Sequence, residues 1–263
     1  MKKQIYKIIK SSVFLKKNKI KNIIDSECLF GESFELIDNH ESWSFGVSVE
    51  DKYQGWIKSN ALGLFYFSNH IVSSIRTCLL TKPDVKSPLI QFLPMRSKIE
   101  VIDIKNNWAK INLYKRKKFG YVLEKDIMEE SIIKSDWVYY SEMLLGTPYR
   151  WGGRNSVGID CSALLQLSKA FSGEKLPRDT SEQFEYFKKS NQYLIFNDIH
   201  STSFFRGNII FWEGHIAVVI DNESLIHASG FHGKVVIERI KEVIARINTK
   251  PFLIKEKKIS NIH

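Results

Sequence analysis

Residues 13 to 128 contain an internal repeat with a fixed offset of 65 and no gap. Phe34-Glu35-Leu36-Ile37-Asp38 returns as Ile99-Glu100-Val101-Ile102-Asp103, and Trp43 returns as Trp108. Gly55-Trp56-Ile57 returns as Gly120-Tyr121-Val122, and Leu62 as Ile127. Each copy has short apolar strands, a tryptophan in mid-unit and a closing glycine-aromatic-aliphatic strand. That pattern suits a small β-barrel. The expected units run over 13–66 and 70–129. Their polar residues differ: Glu32 in the first copy stands opposite Ser97 in the second, and Tyr53 opposite Lys118. Either the first barrel takes part in chemistry while the second is structural, or two positions have simply drifted at the surface.

Two such barrels in tandem resemble bacterial SH3 domains. After Ile127 the pattern changes. Ser135 is a helix N-cap candidate for a helix to about Leu145, with Gly146 as its stop. The glycine-rich turn Trp151-Gly152-Gly153-Arg154 precedes a second helix, in which Leu164, Leu167 and Phe171 share one face. Arg178-Asp179-Thr180-Ser181-Glu182-Gln183 opens a third, capped by Asp179 or Thr180. From Gly207 onward the chain is strand-rich. Helices followed by an antiparallel sheet predict an α+β domain over 130–250. The stretch after Arg246 matches nothing, and 251–263 is expected to be a solvated tail.

Cys161 opens the second helix, directly after Asp160. Free backbone N–H groups and the helix dipole at that position favour thiolate over thiol. The same N–H groups can hold an oxyanion when a carbonyl is attacked. A lone cysteine, however, is most often a small buried hydrophobe. Two histidines change the balance. Gly214-His215-Ile216-Ala217-Val218 reads as a buried strand with a histidine at its start, and Ser224-Leu225-Ile226-His227-Ala228-Ser229 as a second strand. Their separation of twelve residues, 227 minus 215, fits neighbouring antiparallel strands turned at Asp221-Asn222-Glu223. A base on one strand and its orienting group on the next is what a Cys-His-polar triad needs. The same three side chains also suffice for a zinc site. The helix-start cysteine fits the nucleophile reading better, so no metal or other cofactor is expected.

Of 263 residues, 43% are hydrophobic and 26% charged, ordinary values for a soluble globular protein. Cys28, Cys78 and Cys161 are sparse and lack CxxC spacing, which excludes a disulfide framework and favours a reducing compartment. The basic N-terminus has no apolar run of signal-peptide length, and no stretch approaches a transmembrane helix. A cytoplasmic location without a membrane partner is expected. The net charge of +10 comes from scattered lysines, with clusters at Lys115-Arg116-Lys117-Lys118 and Lys255-Glu256-Lys257-Lys258. With no aromatic-studded basic groove, nucleic acid is not an expected partner.

Residues 130–250 resemble the NlpC-type cysteine peptidases, papain-like enzymes of cell-wall metabolism. The resemblance rests on Gly146-Thr147-Pro148-Tyr149-Arg150-Trp151-Gly152-Gly153, Gly158-Ile159-Asp160-Cys161-Ser162 and Leu176-Pro177-Arg178-Asp179-Thr180. Gly207-Asn208-Ile209-Ile210-Phe211-Trp212, Gly214-His215-Ile216-Ala217 and Ile226-His227-Ala228-Ser229 complete it, in the family's order. It implies a papain-like α+β fold, helices on an antiparallel sheet, behind the two barrels. It implies Cys161 as nucleophile, His215 as general base and His227 as the orienting group. Tyr149 resembles the tyrosine near the oxyanion site.

The tandem barrels resemble the branch that cleaves γ-D-glutamyl bonds in short murein peptides with a free N-terminal L-alanine. That branch implies Asp160 as partner of the substrate ammonium, with Tyr53 and Glu32 walling off the amine. It implies Ser162, Arg178, Asp179 and Thr180 around the γ-D-Glu carboxylate and the scissile bond. Ala163 stands where the family commonly has glycine, and Asn208 where it has aspartate; tuning is expected, not loss of activity. The resulting expectation is a monomeric γ-D-glutamyl-L-diamino acid endopeptidase that trims recycled murein peptides. A non-catalytic murein-peptide binding module, and amidase or acyltransferase chemistry on the same fold, are the alternatives.

Overall fold

The computed structural model describes residues 4–21, 23–113, 118–189, 193–195, 202–247 and 249–255. Lys115, Arg116 and Lys117 of one basic cluster, and Glu256, Lys257 and Lys258 of the other, lie outside these. The chain forms two compact units, one of residues 1–132 with 151–156, the other of 133–150 with 157–263.

The first unit holds both repeats. The first barrel comprises β1 (Gln4–Ile8), β2 (Ser12–Leu15), β3 (Ser26–Leu29), β4 (Ser33–His40), β5 (Trp43–Ser48), β6 (Gln54–Lys58) and β7 (Leu62–Gly63). The second comprises β8 (His70–Val72), β9 (Arg76–Leu80), β10 (Leu89–Pro94), β11 (Lys98–Ile99), β12 (Val101–Lys105), β13 (Trp108–Asn112), β14 (Phe119–Leu123) and β15 (Ile127–Glu129). The offset of 65 persists to single registers: β6 and β14 coincide end for end. The β4–β5 ladder slips between Leu36 and Asp38, and the β12–β13 ladder at the equivalent Val101 and Asp103. Gly31 and its counterpart Arg96 both adopt positive φ, 77° and 68°.

The repeat extends further toward the N-terminus than the expected boundary at residue 13. β1 pairs with β4 and β7, and Ile8 is fully buried. Alternating apolar positions fill each barrel. Ile8, Leu15, Cys28, Phe34 and Ile57 form the first core, with Tyr53 packed against it. Leu79, Leu93, Ile99, Ala109, Ile111 and Val122 form the second, joined by Phe30 from the first repeat. Phe30 reaches there because Gly31 lets the chain pass against the Lys98 backbone. A β-carbon at Gly31 would collide with the Lys98 carbonyl oxygen.

In the second unit a six-stranded antiparallel sheet has the order β18 (Tyr193–Ile195), β23 (Phe252–Ile254), β19 (Ile209–Trp212), β20 (His215–Val219), β21 (Ser224–Ser229), β22 (Lys234–Arg239). The short strand β16 (Arg154–Asn155) belongs to the first unit, and β17 (Gly158–Ile159) precedes the sheet in the second. The helices are α1 (Val138–Glu142), α2 (Cys161–Lys169), α3 (Thr180–Lys189) and α4 (Ile240–Arg246). Phe184 and Phe187 of α3 meet Phe211 on one face. On the other, Ile240 and Val243 of α4 pack with Ile210, Trp212, Ala217, Val219, Leu225 and Leu253.

Two expectations are corrected. Residues 251–255 are no solvated tail: Phe252–Ile254 pairs with β18 and β19 inside the sheet, and Leu253 and Ile254 are buried. The apolar triplet Phe252-Leu253-Ile254 supplies a strand that β19 needs on its free edge. The first helix is also shorter than predicted, starting at Val138 with no side-chain cap. Beyond Glu142 it tightens into i to i+3 bonds, Leu144 N–H to Ser141 and Leu145 N–H to Glu142.

Candidate active site

Asp160 is the N-cap of α2. Its backbone is extended, with φ −100° and ψ 175°. Its carboxylate accepts from the Ala163 N–H at 2.9 Å, one of the backbone donors that a helix start leaves open, and from the Ser162 hydroxyl at 3.1 Å. Cys161 therefore begins the helix as expected. Its Sγ is buried, 4.0 Å from Thr180 Oγ1 and 4.0 Å from the Gly214 carbonyl oxygen. Backbone N–H groups of Ile216 and Ser162 also point at the sulfur. Gly214 and Ile216 flank His215, so the first turn of α2 lies against the start of β20.

The two histidines are in direct contact. His215 Nε2 and His227 Nδ1 are 2.7 Å apart, and their rings meet edge to face at 5.0 Å. Trp212, directly opposite His215 in the β19–β20 ladder, packs beside it. Burial, then the neighbouring His227 and Arg246 charges, push His215 down to about 3. Burial also lowers His227, against the opposing pull of Glu238.

Helix-start cysteines are expected to be acidic, and here the opposite holds. Burial, then the charge of Asp160, push the Cys161 thiol up to about 11, although Thr180, Ile216 and Ser162 pull it down. Both shifts favour the uncharged forms, thiol at Cys161 and imidazole at His215.

Tyr149 sits on the segment that lies antiparallel to β22. Its N–H donates to the Gly233 carbonyl at 2.8 Å, and Val235 donates to Thr147 at 2.8 Å. Burial and the charges of Cys161 and Asp160 raise its phenol to about 12, which marks it as a neighbour of both. Thr180 is likewise brought to the sulfur. Asp179 contributes its backbone carbonyl to the Gln183 N–H in the first turn of α3.

Arg178 has a different setting from the one expected. It is 1% exposed, and its fork is spent inside the chain. Nη1 donates to Asp160 Oδ1 at 3.0 Å and to Ser162 Oγ at 2.7 Å, and Nη2 to Asp160 Oδ2 at 2.5 Å. Arg178, Asp160 and Ser162 form one buried cluster at the first turn of α2.

Glu32 and Tyr53 belong to the first unit. Glu32 is buried, accepting from the Leu29 N–H at 2.8 Å and from Arg154 Nη1 and Nη2 at 3.0 and 3.1 Å. Burial pushes its carboxyl up, and Arg154 opposes the rise. Arg154 also donates to the Glu27 carbonyl at 2.7 Å, and Asn155 to the Glu27 carboxylate at 2.9 Å. Tyr53 packs on the first barrel's core, under the Lys17 ammonium.

Glu238, Arg246, Arg154 and Gln183 were missed by sequence reasoning. Gln183 donates to the Ser162 carbonyl at 3.1 Å and the Pro177 carbonyl at 2.8 Å, tying α3 to α2. Glu238 and Arg246 stand among aliphatic residues, Arg154 in a glycine turn and Gln183 in a polar helix start, settings too common to single a residue out. Among the described residues no His, Cys, Asp and Glu side chains form a metal-holding group, and no helix is long and apolar enough to cross a membrane.

The site is thus a cysteine at a helix start, placed against a hairpin that carries two bonded histidines. Residues 146–251 match the NlpC/P60 family and residues 16–62 the bacterial dipeptidyl-peptidase Sh3 domain. The chain carries an NlpC/P60 domain behind a bacterial SH3 domain. It is similar to dipeptidyl-peptidase 6 of Lysinibacillus sphaericus, 23% identical over 77% of this chain and 79% of that protein. It is similar to a γ-D-glutamyl-L-lysine dipeptidyl-peptidase of Bacillus subtilis, 22% identical over 79% of this chain and 73% of the other. A probable NlpC endopeptidase homologue of Haemophilus influenzae is 34% identical over 42% of this chain and 57% of its own length. A crystal structure of an NlpC/P60 family protein from Bacillus cereus shares the fold, with TM-score 0.76 and 15% identity over 95% of this chain and 98% of that one.

Proposed function

We propose that the protein is a cysteine endopeptidase that cleaves the bond from γ-D-Glu to the diamino acid in murein peptides with a free N-terminal L-Ala. The observation that carries this is the placement of Cys161 Sγ against the residues flanking His215, with His215 bonded to His227. In the reaction Cys161 gives its proton to His215 as sulfur adds to the γ-carbonyl carbon. The oxyanion forms beside the N–H groups at the α2 start, with Tyr149 adjacent. His215 then returns the proton to the departing amine, leaving a thioester. Water hydrolyses the thioester, and L-Ala-γ-D-Glu leaves last.

The names of the relatives from Lysinibacillus sphaericus and Bacillus subtilis support a dipeptidyl-peptidase activity and a γ-D-glutamyl bond. Asp160, anionic and next to the nucleophile, suits the ammonium of a free N-terminus. Arg178 serves this site by holding Asp160 in place. Thr180, 4.0 Å from the sulfur, suits contact with the scissile region. Cys28, Cys78 and Cys161 are all free thiols, which favours work in a reducing cytoplasm on recycled peptides.

Mass spectrometry of L-Ala-γ-D-Glu-diaminopimelate incubated with purified protein tests the reading. The expected products are L-Ala-γ-D-Glu and free diaminopimelate, absent with Cys161→Ala. An uncut peptide, beside a control enzyme that cuts it, overturns the reading. Full-rate cleavage of the N-acetylated peptide removes the ammonium role of Asp160.

A further inference from the structure

The relay at the sulfur does not stop at the second histidine. His227 Nε2 lies 2.7 Å from Glu238 Oε2 on the neighbouring strand. His227 faces Val236 in the β21–β22 ladder, so Glu238 is its diagonal neighbour, within reach of a long side chain. Glu238 is itself held. Arg246 donates Nη1 to Oε1 at 2.7 Å and Nη2 to Oε2 at 2.8 Å, and His232 Nε2 lies 3.1 Å from Oε1. Arg246 arrives there because α4 follows β22 and folds back over the sheet face bearing Leu225 and Ala217.

We propose that Glu238 is a positioning residue of the catalytic relay, which through His227 fixes the tautomer of His215. The inference rests on the reading of Cys161 and His215 as nucleophile and base. The proton count is closed by geometry. A carboxylate paired with Arg246 only accepts, so His227 carries its proton on Nε2. A neutral His227 then has a bare Nδ1. The 2.7 Å contact to His215 needs one proton between the rings, which must sit on His215 Nε2. A neutral His215 is thereby left with a bare Nδ1 to take the Cys161 proton. When that proton moves, the charge on His215 is answered by Glu238 across a neutral His227. Serine-protease triads set the base's tautomer with a carboxylate in direct contact; here one imidazole stands between. Without Glu238, His227 is free to carry its proton on Nδ1. His215 must then accept at Nε2 and carry its own proton on Nδ1, which removes the base.

The test combines ring-nitrogen NMR with kinetics on Glu238→Gln, Glu238→Ala and Glu238→Asp. The wild type is expected to show both His215 and His227 as Nε2–H tautomers near pH 7. Glu238→Ala is expected to mix the tautomers and lower kcat about 10–100-fold, with KM little changed. Glu238→Asp should recover part of both. Glu238→Gln preserves shape, so it answers if Glu238→Ala does not fold, and its amide admits both tautomers. An unchanged tautomer pattern in folded Glu238→Gln overturns the proposal, whatever the substrate. A wild type that shows the tautomer pattern, loses it in Glu238→Gln and cleaves no murein peptide supports Glu238's role and overturns the proposed function alone.

Discussion

Arg178 Nη1 and Nη2 lie on the two carboxylate oxygens of Asp160, at 3.0 and 2.5 Å, with both side chains buried. Asp160 thus serves as helix cap, as neighbour of Cys161 and as half of a buried ion pair. Removing one partner of such a pair leaves an uncompensated buried charge, which costs about 3–5 kcal/mol. Arg178→Ala is expected to lose that much by urea denaturation. Arg178→Lys should recover only a part, because an ammonium cannot bond both oxygens and Ser162 in one plane. Equal stability of Arg178→Ala and wild type would show that the pair is not formed.

The acid response of the second unit follows from Glu238 and His215. Burial pushes the Glu238 carboxyl up, yet hydrogen bonds from Arg246, His227 and His232 outweigh it and hold the group at about 2, against an ordinary 4.5. Because the folded form holds its proton less tightly, this stability is present above pH 4.5 and is lost as the pH falls toward 2. His215, lowered to about 3 from 6.5, adds a loss of the same sign between pH 6.5 and 3. The urea midpoint, read at the Trp212 indole NMR signal, should fall in both windows. Glu238→Gln should flatten the lower one.

The barrels were legible because the repeat has no gap, so Phe34 with Ile99 and Ile57 with Val122 announce two cores of one design. β1 escaped notice because at the offset of 65 it matches β8 at no position: Ile5 falls on His70, Tyr6 on Ile71 and Lys7 on Val72; backbone pairing alone makes the two equivalent. The Cys161 helix and the histidine strands were legible from apolar period and turn residues. Arg178 was not, since an arginine suited to a substrate carboxylate is equally suited to Asp160, and only packing decides. Glu238 was not legible either, because its value lies in a diagonal contact to His227 that the period of two does not reveal. β23 escaped because three apolar residues among lysines carry too little pattern.

Leu253 offers a direct check on β23. It is 1% exposed and packs with Ile210, Val219 and Val243. Leu253→Ala in a filled core is expected to cost about 2–5 kcal/mol. The backbone amides of Phe252 and Ile254 should show slow hydrogen exchange, and fast exchange there would return this segment to the solvated tail expected from sequence.

The Cys161 thiol gives the sharpest contrast with the sequence expectation. A helix dipole at its N-terminus stabilises an exposed anion by about 0.3–1 kcal/mol, whereas one unit of pKa is worth about 1.4 kcal/mol. Burial and the adjacent Asp160 carboxylate outweigh that dipole and hold the thiol near 11. Without substrate, alkylation of Cys161 by iodoacetamide is therefore expected to keep rising from pH 7 to pH 10. Asp160→Asn should move the curve to lower pH, because it removes the anion and leaves the Arg178 cation in place. Reactivity that is already level below pH 7 in the wild type would show that the thiolate is the resting form. The two curves, measured with Cys28→Ser and Cys78→Ser in the background, separate the charge of Asp160 from its part as a helix cap. The cap can be kept by asparagine, but the charge cannot.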